Sequence, residues 1–252
     1  MTAEVTRDAF LGGRVLLWQP ARGYRAGTDA VFLAAACPAR AGDLVLDLGC
    51  GAGAVALCLA ARVPGLRLVG VEREREMAAF ARCNARAFGA EMDVVQADLT
   101  RLPAGPRQIA FDHVITNPPY FDRHASVRSE WPLREAAMGE VTPLEQWIGA
   151  AARRLRPKGW LTLIYRAERL GDLLSAMQGK LGSIAVQPLA PRAGRPAGHV
   201  VIRARKGGRA PLSLHAPLVI HSGAWHTSDG DDYSPEISAV LRAGKSLPGF
   251  VA

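Results

Sequence analysis

The sequence predicts an α/β fold with an open, mostly parallel sheet. Short apolar runs of strand length alternate with segments of helical spacing over residues 43–116, as in parallel strands joined by helices. A glycine-rich turn follows the first of these strands, where such folds bind nucleotides. An Asn-Pro-Pro-Tyr tetrad follows the last of them, at 117–120. These observations locate the predicted site at the carboxyl ends of the strands.

The composition is typical of one large domain. The chain has 252 residues, 49% of them apolar, and a net charge of +8. The N-terminus lacks a signal-peptide pattern, and no apolar run reaches the roughly 18 residues needed to span a bilayer. We therefore expect a cytoplasmic protein without a membrane partner. The cysteines lack metal-ligand spacing and the histidines form no ligand cluster, so no metal site is predicted. The sequence leaves the oligomeric state open, and a monomer is compatible with it.

Residues 1–26 are interpreted as an N-terminal hairpin extension. Within them, residues 10–18 are predicted to form a hairpin that turns at Gly12-Gly13. Residues 27–252 are interpreted as a single domain that ends in a basic hairpin and a tail. Its first helix is predicted to follow Gly27-Thr28-Asp29, with Thr28 or Asp29 as the N-cap.

The glycine-rich turn lies between a predicted strand over 43–48 and a predicted helix over 54–62. It contains Gly49, Gly51 and Gly53, whose missing side chains let the backbone approach a ligand. Strand, glycine turn and helix form a nucleotide-binding unit. The glycines and Ala54 also satisfy the dinucleotide pattern G-x-G-x-x-A, so this turn alone does not exclude NAD.

Acidic residues follow the next two strands. Glu72 ends a strand and lies 21 residues after Gly51, where a carboxylate can accept both hydroxyls of a ribose. This predicts a nucleoside-containing ligand without naming it, and the alternative is a surface charge. Asp98 follows the strand predicted over 92–96. A helix cap is one interpretation of this residue.

The tetrad Asn117-Pro118-Pro119-Tyr120 follows the strand predicted over 111–116. The two prolines stop the strand and fix the backbone beyond its carboxyl end. The Asn117 amide and the Pro118 carbonyl supply two acceptors, and Tyr120 supplies a stacking face. Together they can hold a planar amino group. The plain alternative is a proline-rich turn capped by Asn117.

This tetrad resembles the signature of class I S-adenosylmethionine-dependent methyltransferases that act on amide or exocyclic amino nitrogens. The string Asp47-x-Gly49-x-Gly51-x-Gly53 is similar to their first motif. The resemblance implies a Rossmann-like, seven-stranded, mostly parallel twisted sheet with helices on both faces and an antiparallel last strand. It also implies S-adenosylmethionine as cofactor and, for Asp98, a contact to the adenine amino group. The implied cofactor contacts are Gly27, Thr28, Asp29, Asp47, Gly49, Gly51, Gly53, Glu72, Asp98 and Asn117.

Longer stretches resemble one family, the bacterial tRNA(Val) adenosine-37 N6-methyltransferases. They cover residues 24–36 and 200–237, with Arg-Lys-Gly-Gly, Pro-Leu-Val-Ile-His and Tyr-Ser-Pro-Glu in the second. The resemblance implies direct methyl transfer to an adenosine of tRNA, with the catalytic residues Asn117, Pro118, Pro119 and Tyr120. The extra tail residues 222–232 depart from the pattern. The rival interpretations are a guanine-N2 methyltransferase of rRNA, a glutamine-N5 methyltransferase, an NAD-dependent oxidoreductase and a non-catalytic RNA-binding protein.

Basic residues are concentrated in two segments that suit RNA. Residues 191–210 contain six Arg or Lys and no acid, and residues 121–140 lack periodicity, as substrate loops often do. The predicted RNA contacts are Arg123, Arg128, Arg192, Arg195, Arg205 and Lys206. The alternatives are a disordered surface insert for residues 121–140 and a solvated face for residues 191–210.

Overall fold

A computed structural model describes residues 4–119, 142–223 and 232–250, and within these ranges a hairpin precedes one large sheet. The hairpin pairs β1 (Val5–Phe10) with β2 (Val15–Pro20). The long strands of the sheet are β3 (Leu44–Leu48), β4 (Arg67–Glu72), β5 (Met92–Gln96), β6 (Phe111–Thr116), β7 (Leu155–Arg166), β8 (Gly182–Ala190) and β9 (His199–Arg205). The helices are α1 (Thr28–Ala36), α2 (Ala54–Arg62), α3 (Arg75–Phe88), α4 (Ala104–Gln108), α5 (Leu144–Arg154), α6 (Leu170–Met177) and α7 (Pro235–Ala243).

The seven long strands lie in the order β5-β4-β3-β6-β7-β9-β8. β9 is antiparallel to both of its neighbours, and the other neighbouring pairs are parallel. This confirms the predicted mostly parallel sheet with an antiparallel strand near its end; seven of its nine described strands are long. Two further strands of two residues each, β10 (Ser213–Leu214) and β11 (Leu218–Val219), pair with the outer edge of β8.

Alternating side chains along the strands divide the interior into two cores. In β3, Val45 packs with the hairpin and with α1, α2 and α7, whereas Leu46 and Leu48 pack with α5 and α6. Both faces of the sheet are therefore covered by helices, as predicted. No helix in the described ranges is long and apolar enough to cross a membrane.

The hairpin is longer than predicted, because it begins at Val5 and not at residue 10. Three consecutive polar residues, Thr6, Arg7 and Asp8, occupy the middle of β1, so it lacks the alternating apolar pattern of a strand. Val15 and Leu17 of β2 are fully buried in the first core. Asn84 of α3 binds the same strand: its Oδ1 accepts from Trp18 N, and its Nδ2 donates to Trp18 O, both at 2.9 Å. The hairpin is therefore packed firmly on the domain.

Two predicted boundaries were wrong. α1 begins at Thr28 and its N-cap is Gly27, so neither Thr28 nor Asp29 caps the helix. β7 begins at Leu155, whereas the sequence predicts a helix over 143–155, a stop at 156–159 and a strand that begins only at Trp160. Lys158 has a positive φ of 65° there, and the pairing of β6 with β7 shifts register at the same point. An irregular strand start of this kind has no period-2 pattern for sequence analysis to detect.

Candidate active site

The glycine turn after β3 folds over the carboxyl end of β4. Gly49 N donates to Val71 O at 2.8 Å, and Gly51 N donates to the Glu72 carboxylate (Oε2) at 2.9 Å. Gly49, Gly51 and Gly53 have φ values of 71°, 54° and 90°, which side-chain-bearing residues rarely adopt. The structure thus brings Glu72 to the turn, as the 21-residue spacing predicted.

Gly49 is needed for packing as well as for its backbone conformation. A Cβ atom on Gly49 would lie 2.5 Å from Cη2 of the Trp147 indole, on helix α5. By contrast, a Cβ atom on Gly51 would lie 3.7 Å from Met77 and 3.8 Å from Tyr24, at ordinary contact distance. Gly49 therefore leaves room for the Trp147 indole of α5. Gly51 lies beside the ring of Tyr24.

Asp47, the penultimate residue of β3, carries a buried carboxylate. Asp47 is 1% exposed, and neither of its carboxylate oxygens has a hydrogen-bond partner among the residues that the structure describes. Burial raises the pKa of Asp47 to about 7; the nearby backbone N–H of Ala56 acts against this shift, and the negative charge of Glu72 acts with it. A buried carboxylate without a donor is costly unless a ligand supplies one. The ammonium group of a methionine moiety would meet this need, so the site fits S-adenosylmethionine.

Asn117 lies just past the end of β6, beside the strand that leads into the glycine turn. Thr116 is opposite Leu48 in the sheet, and its hydroxyl donates to Leu48 O at 2.8 Å in a fully buried bond. The Asn117 Nδ2 donates to the Tyr24 hydroxyl at 3.4 Å. The half-buried amide of Asn117 therefore faces the same edge of the sheet as Asp47.

The next residues of the tetrad extend from this point. Pro118 is buried and Pro119 is exposed. The Tyr165 hydroxyl, at the end of β7, donates to Pro119 O at 3.5 Å. Tyr120, Arg123 and Arg128 lie outside the described residues, so their assigned roles stay predictions.

The methyltransferase small domain model matches residues 27–187. The chain belongs to this methyltransferase family. This confirms the predicted enzyme class, an S-adenosylmethionine-dependent methyltransferase, and it is compatible with the cradle formed by Asp47, Glu72 and the glycine turn.

Named relatives agree with the resemblance found in the sequence. The tRNA1(Val) (adenine(37)-N6)-methyltransferase of Porphyromonas gingivalis strain W83 is 38% identical over 59% of this chain and 61% of its own length. The enzyme of that name from Aeromonas hydrophila is 30% identical over 81% of this chain and 86% of its own. The alignment thus spans about three fifths of the first relative and most of the second.

A solved structure shares the fold over most of its length. It is that of Atu636 from Agrobacterium tumefaciens, described as a predicted O-methyltransferase, with 28% identity and a TM-score of 0.67. The match covers 84% of this chain and 94% of that one. The similarity confirms the class I methyltransferase fold.

In this methyltransferase the start of α1 lies at the same sheet edge as Asn117. Asp29, in the first turn of α1, has its Oδ2 3.8 Å from Nε2 of His199, at the start of β9. A Cβ atom on Gly27 would meet nothing within 4 Å, and the φ of Gly27 is −129°. Neither the backbone nor the packing therefore requires a glycine at 27, and a cofactor contact by Gly27, Thr28 or Asp29 stays a prediction.

Asp98 lies in a turn after β5. Its Oδ1 accepts hydrogen bonds from both the backbone N and the hydroxyl of Thr100, at 2.7 and 2.6 Å. The side-chain hydrogen bond from Thr100 holds the pKa of Asp98 below its usual value. The predicted helix cap was wrong, since the next helix, α4, begins at Ala104 with Pro103 as its N-cap. The contact of Asp98 to adenine stays a prediction.

Arg192 is held inside the protein. Its guanidinium donates to Ser222 O at 2.6 Å, to Gly223 O at 3.1 Å and to Asp232 Oδ2 at 2.5 Å. The other oxygen of Asp232 lies 2.6 Å from Nδ1 of His221. The Arg192 side chain is only 11% exposed, so these contacts join the loop before β9 to the tail. An RNA contact by Arg192 would compete with them.

The other predicted RNA contacts of 191–210 lie at opposite ends of β9. Arg195 is exposed in the loop that precedes β9, at the end where Arg166 pairs with His199. Arg205 pairs with Trp160 at the other end of β9, and its Nε donates to Lys158 O at 3.0 Å. The neighbouring Lys206 donates its Nζ to Leu155 O at 2.6 Å. The two ends of the seven-residue strand β9 are about 20 Å apart, so Arg195 and Arg205 belong to no single patch.

Sequence reasoning missed three residues that border the site. They are Tyr24, Trp147 and His199, which lie in a loop, in a helix and at a strand start. Each lies next to a site residue that is distant in the chain: Tyr24 next to Asn117, Trp147 next to Gly49, and His199 next to Asp29. No local pattern could have identified them, apart from the aromatic character of Tyr24 shortly before Gly27.

Proposed function

We propose that this methyltransferase transfers the methyl group of S-adenosylmethionine to N6 of an adenosine in tRNA, at position 37 of tRNA(Val). The observation that carries the proposal is the position of Asn117, one residue beyond a strand that is hydrogen-bonded to the strand of Asp47. The names of the relatives support the tRNA substrate, and such a substrate agrees with a cytoplasmic location. The contacts assigned to individual residues below are part of the proposal.

The proposed chemistry depends mainly on positioning. The lone pair of an aromatic amine is delocalised into the ring, so the nitrogen is a poor nucleophile. If Asn117 Oδ1 and Pro118 O both accept its hydrogens, the nitrogen is drawn toward sp³ geometry and its lone pair is directed at the methyl carbon. When bound, S-adenosylmethionine supplies that methyl on a sulfonium, which is already a good leaving group. The residues therefore contribute orientation and electrostatic stabilisation.

The base must leave its stack to reach Asn117. Extrusion of a base costs a few kcal/mol, and stacking on an aromatic ring is worth about 1–3 kcal/mol per base. Tyr120 is the proposed stacking partner, as its place in the tetrad suggests. An amide nitrogen of glutamine also fits two acceptors, and the tetrad resembles that of enzymes acting on such amides, so it is the names of the relatives that favour the nucleoside.

The first prediction concerns the cofactor site. We expect S-adenosylhomocysteine, which carries the same ammonium group, to bind in the micromolar range and NAD not to bind. Below pH 7 the Asp47 carboxyl of the free protein is protonated, and above pH 7 it is ionised. Because only the ionised form attracts an ammonium group, affinity should rise from pH 6 to pH 8, by up to about tenfold per pH unit below 7.

Isothermal titration calorimetry at pH 6, 7 and 8 measures this dependence. At pH 6, buffers with different ionisation enthalpies should reveal release of a proton on binding. Asp47→Asn serves as the matched control, since it should bind more weakly at pH 8 and lose the pH dependence. Binding of NAD without binding of S-adenosylhomocysteine would contradict the cofactor assignment.

The second prediction concerns RNA phosphates. If tRNA approaches the edge that carries Asn117, Arg195→Ala should weaken tRNA binding and lower the log–log salt slope by about 0.7, the value for one single-strand phosphate contact. Arg205→Ala removes the same charge from the opposite end of β9 and should leave the slope unchanged. Fluorescence anisotropy titrations over a range of salt concentrations measure both. Equal slopes for the two variants and the wild type would assign Arg195 to a solvated surface.

The proposed substrate is tested directly by product analysis. The protein is incubated with labelled S-adenosylmethionine and total bacterial tRNA, and the digested RNA is separated into nucleosides. We expect the label in N6-methyladenosine, and in a tRNA(Val) transcript only when adenosine is present at position 37. Label in N2-methylguanosine of rRNA, or in protein glutamine, would replace the proposed substrate with one of the two rivals.

A further inference from the structure

The side chain of Tyr24 connects the two halves of the site. Its hydroxyl accepts the hydrogen bond from Asn117 Nδ2 at 3.4 Å, and its Cε1 lies 3.8 Å from where a Cβ atom of Gly51 would be. The Tyr24 side chain thus lies beside the glycine turn and is hydrogen-bonded to the amide that is proposed to accept the substrate amino group. The residue is nevertheless 58% exposed, so the fold does not need the ring for its core.

From this arrangement, which rests on the proposed function, we propose that Tyr24 is a positioning residue for methyl transfer. Its hydroxyl sets the rotation of the Asn117 amide, and its ring closes one side of the cofactor site at Gly51. An amide carries its donor and its acceptor on opposite sides of one rotatable bond. A hydrogen bond from Nδ2 to Tyr24 therefore turns Oδ1 away from Tyr24, in the orientation that a substrate amino group requires.

The hairpin holds the loop of Tyr24 in place. Gln19 is fully buried in β2, and its Oε1 accepts from Ala26 N at 2.8 Å. The Nε2 of the same side chain donates to Asp8 Oδ2 at 2.9 Å, and the other Asp8 oxygen accepts from Arg25 Nη2 at 2.6 Å. Both residues that follow Tyr24 are thus bound to the hairpin. This gives the N-terminal hairpin a role in the geometry of the site.

The Tyr24 hydroxyl is protonated at neutral pH. Although the residue as a whole is 58% exposed, partial burial of its hydroxyl end raises the pKa of Tyr24 to about 12, and the carboxylates of Asp29, Asp47 and Glu72 act in the same direction. A neutral phenol can accept from Asn117 while it donates its own hydrogen elsewhere. Tyr24 therefore adds no negative charge beside the three carboxylates at neutral pH.

Two substitutions separate the functions of the hydroxyl and the ring. Tyr24→Phe removes only the hydroxyl, so the single-turnover rate with tRNA should fall about three- to tenfold, as for loss of one neutral hydrogen bond. Its affinity for S-adenosylhomocysteine, measured by calorimetry, should equal that of the wild type. Tyr24→Ala also removes the contact at Gly51, so we expect its affinity to fall about tenfold. Tyr233→Phe, which removes a hydroxyl from the tail, should match the wild type in both measurements.

A double-mutant cycle tests whether the hydroxyl acts through Asn117. In an Asn117→Ala background, Tyr24→Phe should cause no further loss of rate. Equal slowing in both backgrounds, or a wild-type rate for Tyr24→Phe, would overturn the positioning role. Wild-type affinity of Tyr24→Ala would overturn the role of the ring. If the wild-type protein binds S-adenosylhomocysteine but methylates no tRNA, the proposed substrate fails, while the affinity of Tyr24→Ala still decides the role of the ring.

Discussion

Asn117→Ala is expected to lower kcat by about 10²–10³-fold while KM for tRNA and for S-adenosylmethionine changes little. The factor is typical of removing one preorganised hydrogen-bonding group that acts on a developing charge. Under the proposed mechanism the bond to Asn117 Oδ1 strengthens as the substrate nitrogen becomes sp³. Loss of an interaction made mainly in the transition state lowers kcat and leaves ground-state binding nearly intact. Asn117 is also half-buried at a strand end, so the substitution should leave the core unchanged.

Single-turnover kinetics at saturating cofactor measure this effect. Asn117→Asp is the matched control, because a carboxylate of the same size still accepts hydrogen bonds and should retain more activity than alanine. Its contact with Tyr24 can be kept, since the phenol can donate to a carboxylate. A wild-type rate for Asn117→Ala would reduce Asn117 to a turn residue and remove the central part of the proposed function.

Gly49→Ala is expected to destabilise the protein by about 2–5 kcal/mol. An alanine at the positive φ of 71° costs about 1–2 kcal/mol, and its Cβ would lie 2.5 Å from the indole of Trp147. Overpacking of a filled core typically costs about 1–3 kcal/mol more. Trp147 is 7% exposed and belongs to the core of α5 and α6, so the ring has little room to retreat.

Urea denaturation measures the free energy of unfolding. Gly27→Ala is the matched control, since the φ of −129° and the open space at Gly27 accommodate a methyl group, and its stability should lie within about 0.5 kcal/mol of the wild type. Trp147→Phe shortens the ring that Gly49→Ala would strike, so the double mutant should lose less than the sum of the two single losses. Stability of Gly49→Ala equal to that of Gly27→Ala would show that Trp147 moves aside without cost.

The sequence by itself determined the fold class and the approach of Glu72 to the glycine turn. The apolar run at 111–116 became β6 with the predicted bounds, and helix α2 matched its prediction at both ends. Glu72 reached the glycine turn because strand, turn and helix have fixed dimensions, which convert spacing along the chain into position. Local periodicity and local turn chemistry were sufficient for each of these results.

The tertiary structure alone decided which distant residues meet. Tyr24 contacts Asn117 across 93 positions of the chain. The indole of Trp147 fills the space that a side chain at position 49 would need. The basic segment 191–210 looked like one patch in the sequence, yet Arg205 lies at the end of β9 opposite Arg195. Such outcomes depend on how sheet order and helix packing bring separate segments together. No local pattern encodes that arrangement, because each segment would form the same strand or helix beside a different neighbour.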